Sequence, residues 1–190
     1  NDAFREDWSQ GADNEILREF TSAGFYRVSS DEANTATVSI YNARGVYDNV
    51  TIRMRAHLET DSSPASAYGI IFNYVDEDNY NTLTVDGLGR YSIWTRENGE
   101  WRELRGADET WTTDDVVAPI GGQNDLSISI RGETLIGSIN NRQLVNVQDS
   151  TFADGGIGIY LGTDAGAATV LIDSFRVDAS VPSMTGGGGA

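Results

Sequence analysis

Eight residues between Asn73 and Glu103 carry groups suited to holding a polar ligand: Asn73, Tyr80, Thr82, Asp86, Trp94, Arg96, Trp101 and Glu103. Aromatic rings are interleaved with amide, hydroxyl and charged tips. A sugar is the ligand class that this mixture fits. Its ring has an apolar CH face and a rim of hydroxyls, so aromatic side chains supply apolar area while polar tips fix orientation. The same residues also describe an ordinary solvated sheet face held by cross-strand Arg–Glu and Trp–Arg pairs. Both readings stand at this level.

These side chains share one side only if Ser66 to Arg105 folds as four antiparallel strands. Tyr68 to Val75 is aromatic and β-branched without a helical period. Asp76 to Asn79 is a polar turn, Gly87-Leu88-Gly89 a second, and Asn98-Gly99 the strongest hairpin signal in the chain. With those turns unpaired, Val75 lies opposite Tyr80, Phe72 opposite Leu83, Asp86 opposite Arg90, Val85 opposite Tyr91, and Arg96 opposite Trp101. One face then carries Ile70, Phe72, Leu83, Val85, Tyr91, Ile93 and Leu104, a core face. The other carries the candidate residues together with Thr84, Arg90, Ser92 and Arg105. A slip by one residue would exchange the faces, so the apolar consistency of the first set supports this register.

Composition limits the partners. The 190 residues carry a net charge of −16, with 29 acidic and 13 basic side chains, all of the latter arginine. Such a surface repels nucleic acid and anionic membranes, and it suits divalent cations or a high-salt milieu. Cysteine is absent, so no disulfide reports the compartment. No apolar run approaches the ~18 residues that would suggest a membrane span, and no membrane insertion is expected. A first residue of Asn rather than Met is compatible with a processed secreted chain or a trimmed one.

Along the chain, Asn1 to Ala12 reads as an edge strand or anchored arm. Glu15 to Phe20 reads equally as a short helix or a strand. Phe25 to Ser29 and Thr35 to Tyr41 are strands, and Val50 to Leu58 alternates cleanly, with His57 on the outward side as a solvated residue. Gly106 to Gly122 is a long acidic loop with Trp111, Asp114 and Asp115, of a length that is often functional. Strands follow at Leu126 to Ile130, Thr134 to Asn140, Gln143 to Val147, Gly155 to Leu161 and Thr169 to Val177. About a dozen strands with frequent turns predict an all-β sandwich. The expected organisation is one domain over residues 1–179 and a flexible glycine-rich tail or linker over 180–190.

The order of motifs resembles the concanavalin A-like lectin/glucanase superfamily, in its laminin-G-like and 3-keto-disaccharide-hydrolase-like branches. The stretches that carry it are YGIIFNYVDEDNYNTLTV, GRYSIWTRENGEWREL, NDLSISIRGETLIGSINNRQL, GGIGIYLG and VLIDSFRV. The resemblance spans Phe4 to Val177. It implies a jelly-roll β-sandwich of two antiparallel sheets, one concave, with the strands of Asn73, Thr82 and Trp94 lining the concave side where relatives bind glycans. Fold-level likeness alone does not fix an activity.

Retaining glucanases of this superfamily carry E-x-D-x-(x)-E on one strand, which places paired carboxylates for nucleophilic and acid/base roles. No strand here has it. Asp86 and Glu103 lie on the polar face, but Arg90, Arg96 and Arg105 are positioned to pair with them and keep them ionised. No HExxH, Cys/His cluster, G-x-S-x-G or phosphate loop is present, so a non-catalytic module is expected. Calcium needs several hard oxygen ligands. Asp76 and Asp78 offer them in one turn, although such a turn also favours Asp for its own geometry. The resemblance points to Asp173, near the chain end, as a structural-ion ligand, with Asp2 or Asp7 as its partner. The expected function is thus an extracellular or cell-surface glycan-binding module, with structural Ca²⁺ as its candidate cofactor. The alternative is an adhesive subunit that self-associates through its terminal arms.

Overall fold

The computed structural model describes residues 5–41 and 47–179. Asn1 to Phe4 of the expected arm, with Asp2, and the expected tail at 180–190 lie outside the described residues. In chain order the strands are β1 (Gly11–Asp13), β2 (Ile16–Phe20), β3 (Tyr26–Ser30), β4 (Ala36–Ile40), β5 (Val50–Leu58), β6 (Ala67–Asp76), β7 (Asn79–Asp86) and β8 (Arg90–Glu97). They continue with β9 (Glu100–Glu103), β10 (Thr112–Thr113), β11 (Gln123–Arg131), β12 (Thr134–Ile139), β13 (Arg142–Gln148), β14 (Gly156–Gly162) and β15 (Ala168–Ala179).

Two antiparallel sheets form a jelly-roll sandwich. The eight-stranded sheet has the order β1-β2-β3-β15-β5-β11-β12-β13. The seven-stranded sheet has the order β10-β8-β7-β6-β14-β4, with β9 also on the outer edge of β8. Between them lies one core, with Ile52, Met54, Leu58, Ile70, Phe72, Leu83, Ile93, Leu126 and Ile128 almost fully buried. These are alternate residues of their strands, as a two-sided pleat demands. The face expected to be apolar is the core face, and Leu104 packs against it at the edge.

Of Glu15 to Phe20, the stretch Ile16–Phe20 is a strand. Ile16 pairs with Ser30 and Phe20 with Tyr26, and the Phe20 and Tyr26 rings meet at 4.9 Å. A helix that short is marginal by itself, whereas the β3 edge offers a full ladder. In the described part of the N-terminal arm, Trp8 is buried against Tyr26, Tyr41 and Phe175 at 5.0–5.3 Å, and Gly11–Asp13 is an edge strand on β2.

One register differs from expectation. The turn pairs Asp76 with Asn79 as the hairpin geometry requires, but Ile70, not Phe72, faces Leu83, and Phe72 faces Asn81. A bulge between Phe72 and Asp76 absorbs the difference, with Asn73 at φ 51°. Asn tolerates that conformation better than most residues. The slip is by two residues, so every side chain keeps its face.

Buried amides tie the two sheets together at either end. Asn124 donates to the Tyr68 hydroxyl (2.9 Å) and the Ala118 carbonyl (3.0 Å), and it accepts from Ala118 N–H and Asn140 Nδ2. At the other end, Asn81 donates to Asp149 and accepts from Thr95. The first clamp anchors the loop that follows Trp111.

Candidate functional site

One row across the middle of the outward, concave face of the seven-stranded sheet is built from small residues. Across one row, Tyr160 on β14 faces Gly69 on β6, Gly69 faces Thr84 on β7, and Thr84 faces Ser92 on β8. A Cβ on Gly69 would stand 1.9 Å from the Leu83 carbonyl oxygen, so no larger residue permits this close strand approach. The Thr84 and Ser92 hydroxyls hydrogen-bond at 2.7 Å, and the Trp94 indole N–H donates to Ser92 Oγ.

Aromatic side chains wall this floor. Trp94, Trp101, Trp111 and Tyr160, with Thr84, line a slot of about 240 Å³. Ring centroids are 6.2 Å apart for Trp94–Trp101, 6.2 Å for Trp94–Trp111, 5.9 Å for Trp101–Tyr160 and 5.7 Å for Trp101–Tyr80. These are edge-to-face and tilted spacings of the kind that favour aromatic pairs. Two indoles carry a guanidinium: Arg96 lies 5.2 Å from the Trp101 ring and Arg90 5.4 Å from Trp111.

Trp111 reaches the site through a feature of the long loop that its composition did not reveal. Thr112 and Thr113 form a two-residue ladder with Tyr91 and Arg90, and Trp111 itself sits at φ 48°. Arg105 secures the approach by donating to Thr112 Oγ1 and the Glu109 carbonyl.

Each expected site residue has a definite place. Trp94 and Trp101 wall the slot. Tyr80, Thr82 and Arg96 sit beside it, Tyr80 opposite Arg96 and Thr82 opposite Trp94. Asn73 occupies the adjacent bulge. Asp86 and Glu103 are on the expected face but have their oxygens committed. Asp86 is fully buried, accepts from the N–H groups of Leu88 and Arg90, and pairs with the Arg90 guanidinium at 2.6 Å. Glu103 accepts from Ile93 N–H, Arg105 N–H and two Arg105 side-chain nitrogens. Both acids are thus bonded into the frame of the site.

Three of the candidate metal ligands have partners within the protein. Asp76 Oδ1 accepts from Asp78 N–H and Asn79 Nδ2, closing its own turn, while Asp78 pairs with Arg96 at 3.3 Å. Asp7 accepts from the Tyr41 hydroxyl, and Asp173 is exposed at a bulge in β15. Among the described residues no three His, Asp or Glu side chains gather as a cation cage.

Tyr160 and Trp111 were not among the expected site residues. The signal for Tyr160 is its neighbourhood, Gly156-x-Gly158-x-Tyr160-x-Gly162, which places one ring on an otherwise bare strand face. Burial pushes the Tyr160 phenol up to about 12, with the Arg96 charge opposing. Burial also pushes the Tyr80 phenol up, aided by Tyr160 and opposed by Arg96. Both are therefore neutral hydroxyls at physiological pH.

The sequence matches no family model and no curated protein. Its fold, by contrast, is well represented among solved structures. A carbohydrate-binding module from Bacillus subtilis, CBM66, superposes with a TM-score of 0.71 at 14% identity, over 91% of this chain and 96% of the module. The alginate lyase A1-II′ superposes with a TM-score of 0.60 at 10% identity, over 90% of this chain and 85% of the lyase. CG-16, a homodimeric agglutinin from chicken liver, superposes with a TM-score of 0.53 at 10% identity, over 76% of this chain and all of the agglutinin. The chain thus shares the jelly-roll sandwich fold of a carbohydrate-binding module, an alginate lyase and an agglutinin.

Proposed function

We propose that the protein is a non-catalytic, extracellular carbohydrate-binding module of the laminin-G-like or 3-keto-disaccharide-hydrolase-like branch, and that it takes a sugar ring in the aromatic slot. The observation that carries this reading is the slot itself. Trp94, Trp101, Trp111 and Tyr160 present ring surface around Thr84. Such walls match a pyranose or furanose ring, with apolar area against its CH face. Fold likeness to a carbohydrate-binding module and a lectin agrees with it.

The non-catalytic part rests on the lining. No carboxylate lines the slot, and the two acids nearest to it are held by arginines. Glycoside hydrolysis needs one carboxyl group free to donate a proton and another free to attack or activate water. The reading needs no metal ion.

A glycan array with the purified domain identifies the ligand, and Trp94→Ala then tests the slot. Removing one stacking ring is expected to weaken retention of the bound glycan by more than tenfold. Unchanged retention by a folded Trp94→Ala protein would refute the slot.

A further inference from the structure

Trp94 and Trp101 line two cavities. The first is the slot, about 240 Å³, which they share with Thr84, Trp111 and Tyr160. The second, about 480 Å³, is bounded by the same two indoles and by the chain that leaves β9, with Arg102, Leu104, Ala107 and Thr110 among its walls. By itself the slot falls short of the ~300–1,000 Å³ typical of ligand pockets. Joined at the indole pair, the two cavities come within that range.

The edge of β8 explains why the second cavity exists. It pairs with β9 from Trp94 to Glu97 and with β10 at Tyr91 and Arg90. Between those ladders the chain leaves the edge and returns, through a detour that contains the short 3₁₀ turn Ala107–Glu109. Arg105 pins this detour. It donates to Glu103 at one end, and to the Glu109 carbonyl and Thr112 Oγ1 at the other. Trp94 is fixed as well, through its indole N–H on Ser92 Oγ. These walls are held before a ligand arrives, which lowers the ordering cost of binding.

The second cavity also carries donors. Arg102 is exposed and donates to Thr151 Oγ1 at 3.1 Å. Among the described residues it pairs with no carboxylate. A guanidinium has several N–H donors, and that bond uses one. The Thr110 hydroxyl lies at the same exposed rim.

We infer that the site binds an oligosaccharide through at least two linked rings, one in the slot and the next in the second cavity, where Arg102 donates to its hydroxyls. This rests on the carbohydrate reading above and adds the size of the ligand. Linked sugars repeat an apolar face and a hydroxyl rim from ring to ring. The two chambers repeat the matching equipment, indole surface beside polar groups. The indole pair that both chambers share then lies at the linkage.

Isothermal titration tests this by comparing monosaccharides with their own disaccharides: D-glucose with maltose and cellobiose, D-galactose with galactobiose, D-mannose with mannobiose, and D-xylose with xylobiose. The proteins are the parent, Arg102→Ala and Ala107→Leu. The first variant removes the donor, and the second adds bulk to the cavity without a ring face. Both positions are exposed and neither lines the slot. In the parent, the best disaccharide is expected to bind about tenfold more tightly than its monosaccharide, the scale of one hydrogen bond to a charged group. In each variant that ratio is expected to fall to about threefold or less, with monosaccharide affinity unchanged.

A parent that binds a monosaccharide and its disaccharides equally overturns the second subsite and leaves the carbohydrate reading standing. So does a ratio that survives in either folded variant, or a loss that falls equally on monosaccharide and disaccharide. Disaccharide binding without measurable monosaccharide binding, lost in both variants, supports the inference. No binding of any of these sugars by the parent removes the carbohydrate reading and the second subsite with it.

Discussion

Trp101 and Tyr160 come from strands separated by β8, β7 and β6, yet their rings stand 5.9 Å apart across the concave face. Four strand spacings in a flat sheet are about 19 Å. The two side chains therefore lean toward each other across the face and close it between them. Tyr160→Ala is expected to release Trp101 toward water, with a red shift in tryptophan emission, and to lower the unfolding midpoint through the lost ring packing. Tyr160→Phe keeps the ring and is expected to leave the emission where it is.

Glu103 and Arg105 form a pair in which the glutamate side chain is fully buried and the arginine is 10% exposed. Removing one member of such a pair strands the other, at a typical cost of ~3–5 kcal/mol. Glu103→Ala is expected to lose stability on that scale in denaturant titrations. An effect below about 1 kcal/mol would mean that the pair behaves as a surface one.

Asn124 serves four hydrogen bonds from a fully buried position and holds both sheets and the loop after β10. Asn124→Ala leaves several buried groups unpaired, each worth ~1–3 kcal/mol. It is expected to cost at least ~2 kcal/mol by the same reasoning. Protease nicking within residues 114–122 would locate the damage in the loop.

Alkali should find a specific weak point. Burial pushes the Tyr68 phenol up to about 12, with the Asn124 hydrogen bond opposing, against an ordinary value of 10. The folded state therefore holds this proton more tightly than the unfolded state. Its contribution is fully present below pH ~10 and is lost as pH rises toward ~12. Denaturation midpoints measured from pH 9 to 11.5 should fall across that window, with part of the phenolate absorbance appearing only on unfolding.

A net charge of −16 makes the compact state repel itself, and salt screens that repulsion. The thermal midpoint is expected to rise from low to molar sodium chloride. Affinity for a neutral sugar should be nearly independent of salt over the same range. A steep loss of affinity with salt would indicate a charged ligand instead.

The two faces of β6 to β9 were legible in the sequence because strand alternation has a period of two. Even the bulge at Asn73 moved the register by two residues, so Ile70 and Leu83 stayed inside and Thr82 and Trp94 outside. The contributions of Tyr160 and Trp111 were not legible. Tyr160 joins the site because β14 lies beside β6, and sheet order is set by long-range packing rather than by local pattern. Trp111 joins through a ladder of only two residues, too short to show as alternation. The roles of Asp86 and Glu103 were half legible. Arginine pairing was expected to keep them ionised, and the same pairing, completed by backbone N–H donors, bonds them into the frame of the site.

The hairpin at Asn98-Gly99 has a consequence for how this protein can change over generations. Both turn residues adopt positive φ, and Glu100 to Arg102 beyond them are exposed. Trp101 therefore rides on the exposed tip of a hairpin whose base, Glu103 and Leu104, is anchored in the sandwich. Substitutions at the exposed tip, Glu100 to Arg102, can reshape the rim of the slot while the buried ladder beneath is inherited intact.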